Sequence, residues 1–170
     1  MPCEYDERLT VNDFVDVRER FRVLGISNGV NVAILPSNLE SASAPSEFIF
    51  EGNAESIRKL LRTAEIDVVS LVSPGPMPTR RNHDSTLILP ILFFAGAHFS
   101  ENPTAISLAL SVLGNYATQL LQGATGAGTV KLSIVMETRR GNTFKRIDYS
   151  GPPEGLPAAT RLIAKINESD

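Results

Sequence analysis

The sequence predicts one mixed α/β domain over residues 1–170, with a mixed sheet of about five strands, a long, mostly buried central helix, and a C-terminal β-hairpin followed by a helix. Three observations predict this class. Short β-branched runs alternate with amphipathic helical patterns in the first half of the chain. A long uncharged stretch is apolar around most of a helical circumference. Near the C-terminus, an alternating segment is followed by a turn and a second strand-like run.

The N-terminal segment is predicted to form a helix over 12–24. Apolar side chains recur there at helical spacing, and Thr10 and Asp13 have the spacing of a capping box. Gly25 is a typical residue at which a helix ends. Residues 1–10 are expected to be frayed, as chain termini commonly are.

The next stretch alternates between strand-like and helical patterns. Residues 30–35 and 66–72 are β-branched apolar runs that are typical of buried strands, and 48–50 is predicted to be a short strand. Between them, Asn53 is placed to cap a helix that ends near residue 64. This order predicts at least one parallel crossover, which should be right-handed.

The longest predicted helix covers residues 102–122. Asn102 is a favourable N-cap, Pro103 is a favourable first helical residue, and the helix contains no charged residue. Such a helix is either the central helix of the domain, or one of its faces packs on another subunit. The apolar run 87–94 that precedes it contains Pro90, which predicts an edge or irregular strand.

The C-terminal part predicts a hairpin and a last helix. Residues 130–138 alternate between an apolar and a mostly polar face, 139–142 form a turn, and 143–149 return as the second strand. The alternation predicts that one face of the hairpin is exposed to solvent. From Leu156 onward, apolar residues recur at helical spacing.

Three loops, 36–47, 73–86 and 123–129, are expected to be flexible, because small polar residues, prolines and glycines respectively dominate them. The third loop contains the sequence GATGAG, which has the composition of a dinucleotide-binding fingerprint. That fingerprint follows a strand and precedes a helix, whereas this loop follows a helix and precedes a strand. A plain linker is therefore predicted.

The composition excludes several functional classes. A net charge of −3 has the wrong sign for a nucleic-acid partner. Cys3 is the single cysteine, so no disulfide can form within the chain, and a reducing, cytoplasmic location is expected. One cysteine and two histidines are too few for a structural zinc site, and no metal or other cofactor is predicted. The longest near-apolar stretch, 87–97, is too short to span a membrane, so no membrane partner is expected.

The candidate ligand-binding residues are Arg80, Arg81 and His83 in the 73–86 loop, together with Glu101 before the long helix. Arginine side chains bind phosphates and carboxylates, histidine is a common acid or base, and helix N-termini attract anions. The alternative is that the loop is merely solvated and that Glu101 helps to cap the helix. No residue is predicted to be catalytic.

Three segments carry a resemblance: ILPSNLESA over 34–42, the helical stretch 101–123, and 130–156, which begins VKLSIVMET and ends in KRIDYSGPPEGL. Their order resembles uncharacterised small bacterial proteins and the effector-associated domains of bacterial conflict systems, which are defence systems. The resemblance brings no catalytic motif, and it implies an adaptor or partner-binding role.

Two hypotheses about function follow. The first is a non-enzymatic protein-interaction or adaptor domain, either homo-oligomeric or partnered with another bacterial protein, because the long helix is apolar nearly all round. The alternative is a small-ligand or nucleotide-binding protein or a hydrolase, with its site between the 73–86 loop and the start of the long helix. Fold class alone does not choose between them.

Overall fold

A computed structural model describes residues 9–26, 29–71, 79–80, 86–96, 104–121, 128–138 and 143–169. These residues confirm the predicted mixed α/β class. The helices are α1 (Val17–Val23), α2 (Ala54–Thr63), α3 (Ala105–Leu121) and α4 (Leu156–Ser169). The strands are β1 (Leu9–Asp13), β2 (Val32–Leu35), β3 (Phe50–Glu51), β4 (Thr79–Arg80), β5 (Thr86–Ile88), β6 (Ile91–Phe94), β7 (Thr129–Glu137) and β8 (Phe144–Gly151). Short 3-10 turns lie at Pro45–Glu47 and Pro153–Gly155.

Six strands form the main sheet, in the order β1-β8-β7-β6-β2, with β5 pairing to β7 on the same side as β6. The β7–β8 pair is the predicted hairpin, and β1 adds to β8 antiparallel. Strands β5 and β6 both run parallel to β7. They are separate strands because Pro90 interrupts what the sequence presents as one run. Strands β3 and β4 form a separate parallel pair.

The N-terminal segment differs from its prediction. Residues 9–13 form an edge strand, and α1 begins only at Val17. Asp16 caps this helix, because its side chain accepts a hydrogen bond of 3.0 Å from the amide of Glu19. Five residue pairs with β8 hold β1 in place, and this non-local pairing outweighs the local capping-box spacing of Thr10 and Asp13.

The predicted strand at 66–72 is reduced to an isolated bridge between Ala33 and Val69. The Val69 amide donates a 2.9 Å hydrogen bond to the Val32 carbonyl, while Val68 and Leu71 are buried. Burial alone therefore accounts for the apolar character of this run. Asn53 occupies the N-cap position of α2, but its side chain donates to the carbonyl of Ile88 instead of capping the helix.

The 36–47 segment consists of turns around buried Leu39 and Ala42. Asn38 fastens it, since its side chain donates to the Glu47 carbonyl at 2.8 Å and accepts from the Ile49 amide at 2.9 Å. The 73–86 and 123–129 loops lie outside the described residues, apart from Thr79–Arg80 and the ends at residues 86 and 128–129.

Helix α3 buries one face. The buried side chains are Ile106, Ala109, Leu110, Leu113 and Ala117. On other faces, Leu108 is 44% exposed and Leu120 is 53% exposed. The chain itself therefore does not cover the whole apolar circumference of this helix, and the predicted caps, Asn102 and Pro103, lie outside the described residues.

Helix α1 covers one end of the sheet face that carries Phe93 and Phe144. The ring of Phe21 on α1 meets Phe93 edge-on, with 5.9 Å between centroids, and Phe93 stacks on Phe144. Beside these rings, Arg18 forms an ion pair with Glu137, with 2.8 Å between Nε and Oε2. The same carboxylate accepts a hydrogen bond from the Gly96 amide. These contacts fix α1 at this end of the face.

Candidate functional site

A cavity of about 850 Å³ lies over the part of the sheet face that α1 leaves uncovered. Its volume is in the range of sites that bind small organic molecules. Its lining comes mainly from β7 and β8, together with Thr10 of β1, Ser37, Glu51, and the stretch from Ile88 to Ile91. The described residues thus place a concave, partly apolar surface beside a group of polar side chains.

Strand register brings the polar side chains of the lining together. Alternate residues of a strand point to the same face, and directly paired residues of neighbouring strands share that face. Asp148 on β8 pairs with Thr10 on β1 and with Ser133 on β7, which makes one row across three strands. The next row joins Ser150 to Lys131, and Lys131 to Ile88 of β5.

Ser133 and Asp148 of the first row form a hydrogen-bonded cluster with Arg146, which lies two residues before Asp148 on the same face of β8; the three residues are here called the floor cluster. Ser133 Oγ donates to Asp148 Oδ1, and Arg146 Nε donates to the same oxygen at 3.0 Å. Arg146 Nη2 donates to Ser133 Oγ at 3.1 Å, and the guanidinium lies 5.8 Å from the ring centroid of Phe14. The cluster is held in one geometry and its charges cancel.

The floor cluster is suited to recognition and not to nucleophilic attack. An activated serine needs a base that takes its proton while an oxygen lone pair remains directed at the substrate. Here Arg146 donates to Ser133 Oγ, which draws on the lone pair that a nucleophile would use. The hydroxyl is therefore a fixed hydrogen-bonding group.

Lys131 and Glu51 are the other charged residues of the cavity lining, and they differ in exposure. Glu51 is buried, with 7% of its surface exposed, whereas Lys131 is exposed. Within the described part of the chain, the Lys131 ammonium has no hydrogen-bond or ion-pair partner. A positive charge is thus available to a ligand at one side of the cavity.

The residues proposed from the sequence lie elsewhere or outside the described ranges. Arg80 is in β4, where its backbone pairs with Glu51, a residue of the cavity lining. Arg81, His83 and Glu101 lie outside the described residues. The structure therefore places only the backbone of Arg80 next to a lining residue, and the proposed loop site stays a prediction.

The sequence analysis did not single out the residues of the floor cluster, although it predicted that one face of the hairpin is exposed to solvent. The alternation over 130–138 places Ser133 on the polar face of β7, and the return strand carries Arg146 and Asp148 on the same face of the sheet. The signal that could have identified the cluster is the presence of an acidic, a basic and a hydroxyl side chain on one face of two paired strands.

The described residues contain no group of three or more His, Cys, Asp or Glu side chains placed to hold a metal ion. In the same ranges, none of the helices combines the length and apolarity that a membrane span needs. Comparison with protein-family models, curated proteins and solved structures finds no match to this chain.

Proposed function

We propose that this chain is a non-enzymatic binding domain that holds a small organic molecule in the cavity on its sheet face. The observation that carries the proposal is the floor cluster, which is pre-arranged beside an available lysine and an apolar wall in a cavity of ligand size. Sites of this kind bind by covering apolar surface and orienting the ligand with a few fixed polar groups.

Amide chemical shifts of the ¹⁵N-labelled protein, recorded during titration with a library of small organic compounds, test this proposal. Compounds that bind are expected to shift the amides of Lys131, Ser133, Asp148 and Ser150 together, since these residues line one cavity. Replacement of exposed Ser150 by tryptophan places a large ring in the cavity and is expected to abolish those shifts.

Ser111→Trp is the matched control for the cavity-filling variant. Ser111 is exposed on α3 and does not line the cavity, so this substitution should leave the shifts unchanged. If no compound moves the lining amides of the wild-type protein, or if Ser150→Trp binds as well as wild type, the proposed function is wrong.

A second candidate function is protein interaction, with a second copy of this chain or another protein as partner. Leu108 and Leu120 on α3 favour it, because the chain leaves these large apolar side chains 44% and 53% exposed. The resemblance to effector-associated domains of defence systems supports the same adaptor role. We also propose a cytoplasmic location, because the single cysteine forms no disulfide within the chain and this fits a reducing compartment.

Light scattering after size exclusion, over a range of protein concentrations, tests this second function. A dimer or larger species is expected for wild type, and Leu108→Glu with Leu120→Glu should convert it to a monomer. Val23→Glu is the control, because Val23 is 57% exposed but lies on α1. A monomeric wild type at every concentration contradicts self-association, and an oligomer that survives the α3 substitutions contradicts the role of this helix.

A further inference from the structure

We propose that the cavity selects a small organic carboxylate that carries an apolar body and a hydroxyl group. Lys131 binds the anionic group of the ligand, Ile88 and Ile91 cover its apolar body, and Asp148 accepts a hydrogen bond from its hydroxyl group. This inference rests on the proposed binding function and names the ligand class of that same cavity.

The charge of the ligand follows from the charges that remain available. Arg146 and Asp148 are paired with each other, so the floor cluster is neutral. Glu51 is 7% exposed, which leaves little of its carboxylate to a ligand, while Lys131 is exposed and has no described partner. The accessible lining therefore carries one positive charge in excess, and a ligand with one negative charge complements it.

The apolar body follows from the neighbour of Lys131 on the next strand. Ile88 pairs with Lys131 in the parallel β5–β7 register, so the two side chains stand side by side on one face. Ile88 and Ile91 are both only partly buried and both line the cavity. A ligand that binds Lys131 from within the cavity meets this aliphatic surface beside it, and covering that surface favours an apolar group.

The hydroxyl follows from the unused oxygen of Asp148. Both hydrogen bonds to this carboxylate, from Ser133 and from Arg146, end on Oδ1. In the described part of the chain, Oδ2 receives no hydrogen bond, and Asp148 is 36% exposed on the cavity side. A carboxylate oxygen only accepts hydrogen bonds, so the ligand group that meets Oδ2 is a donor.

The positions of these groups suggest a probe. Lys131 and Asp148 are diagonal neighbours on paired antiparallel strands, because Lys131 pairs with Ser150, two residues beyond Asp148. The backbones of diagonal neighbours lie about 7–8 Å apart, and a lysine side chain carries its ammonium well beyond its own backbone. We choose 4-hydroxybenzoate as the probe, because it carries an anionic group and a hydroxyl at opposite ends of an apolar ring.

Isothermal titration calorimetry with three matched probes tests the ligand class. The probes are 4-hydroxybenzoate, the uncharged 4-hydroxybenzamide, and benzoate, which has no hydroxyl. We expect the wild-type protein to bind 4-hydroxybenzoate about tenfold more tightly than either of the others, the effect of one charge-assisted hydrogen bond. Lys131→Met should weaken the binding of 4-hydroxybenzoate about tenfold, so that the variant binds it no more tightly than 4-hydroxybenzamide.

Lys165→Met is the control, because Lys165 is exposed on α4 and does not line the cavity, and it should bind all three probes as wild type does. Equal affinity of the wild type for 4-hydroxybenzoate and 4-hydroxybenzamide, or unchanged binding by Lys131→Met, overturns the anionic class while leaving the binding function intact. Absence of binding by all three probes also overturns this inference, and the library titration then decides separately whether the cavity binds anything. The comparison of probes on wild type needs no variant to fold.

Discussion

Glu137 connects three parts of the fold, and its removal is expected to destabilise the protein substantially. Its side chain is 10% exposed and forms two hydrogen bonds to Arg18 of α1, at 2.8 and 3.3 Å, while one of its oxygens also accepts from the Gly96 amide. Glu137→Ala removes this ion pair from Arg18, whose guanidinium lies 5.7 Å from the centroid of the Phe93 ring.

The expected magnitude follows from burial. Removing one partner of a fully buried ion pair costs about 3–5 kcal/mol. The Arg18 side chain is 29% exposed, so water replaces part of the lost interaction, and we expect about 2–3 kcal/mol for Glu137→Ala. For a chain of this length the melting temperature should fall by about 4–12 °C. Glu137→Gln should cost less, because an amide oxygen can still accept from Gly96.

Urea denaturation followed by circular dichroism measures the free energy of unfolding of each variant. The control is Glu40→Ala, since Glu40 is exposed, and it should change stability by less than about 0.5 kcal/mol. Arg18→Met combined with Glu137→Leu removes both charges and should cost less than the two single substitutions added together. A Glu137→Ala effect as small as that of the control, or strict additivity in the double variant, would show that the Arg18–Glu137 ion pair does not stabilise the fold.

Two further predictions concern a close contact and a surface ion pair. Gly155→Ala should lower the free energy of unfolding by about 1–3 kcal/mol in urea denaturation, because an added Cβ would lie 2.1 Å from the Tyr149 hydroxyl oxygen. Gly114→Ala is the control and should be neutral or stabilising, because the nearest atom to its added Cβ would be 3.8 Å away. Equal effects of the two substitutions would count against this packing. The Arg58 hydrogen bond holds the pKa of Glu55 below its ordinary value, so the pair stabilises the fold at neutral pH and loses that contribution as the pH falls through the lowered pKa. The free energy of unfolding of the wild type should therefore exceed that of Glu55→Gln by a few tenths of a kcal/mol at about pH 7 and by nothing at about pH 2. A difference in stability that persists in acid would contradict this role of the ion pair.

The sequence predicted those parts of the fold that local pattern determines. Strand β2 and the β7–β8 hairpin were read from β-branched runs and alternation, and α3 was placed from its apolar periodicity. The predicted start of α1 was wrong, because Thr10 and Asp13 lie in a strand whose partners in β8 are 132 to 140 residues away along the chain. No local signal encodes such a pairing.

The candidate site needed strand order, which the sequence did not provide. Ser133, Arg146 and Asp148 are close in the hairpin, and their shared face was predictable from alternation. Thr10 and Ile88 join them only because β1 and β5 are placed on opposite sides of that hairpin. The concave shape depends on where α1 stops covering the sheet, and the Arg18–Glu137 ion pair across the fold fixes this position.

Crystallographic fragment screening is the sharpest test of ligand binding in the cavity, since it shows where small molecules bind without assuming their chemistry. We predict that fragments occupy the cavity between Ile88 and Asp148, with polar groups within hydrogen-bonding distance of Asp148 Oδ2 or Lys131 Nζ. Fragments that bind only at other places on the protein, while this cavity holds none of them, would contradict it.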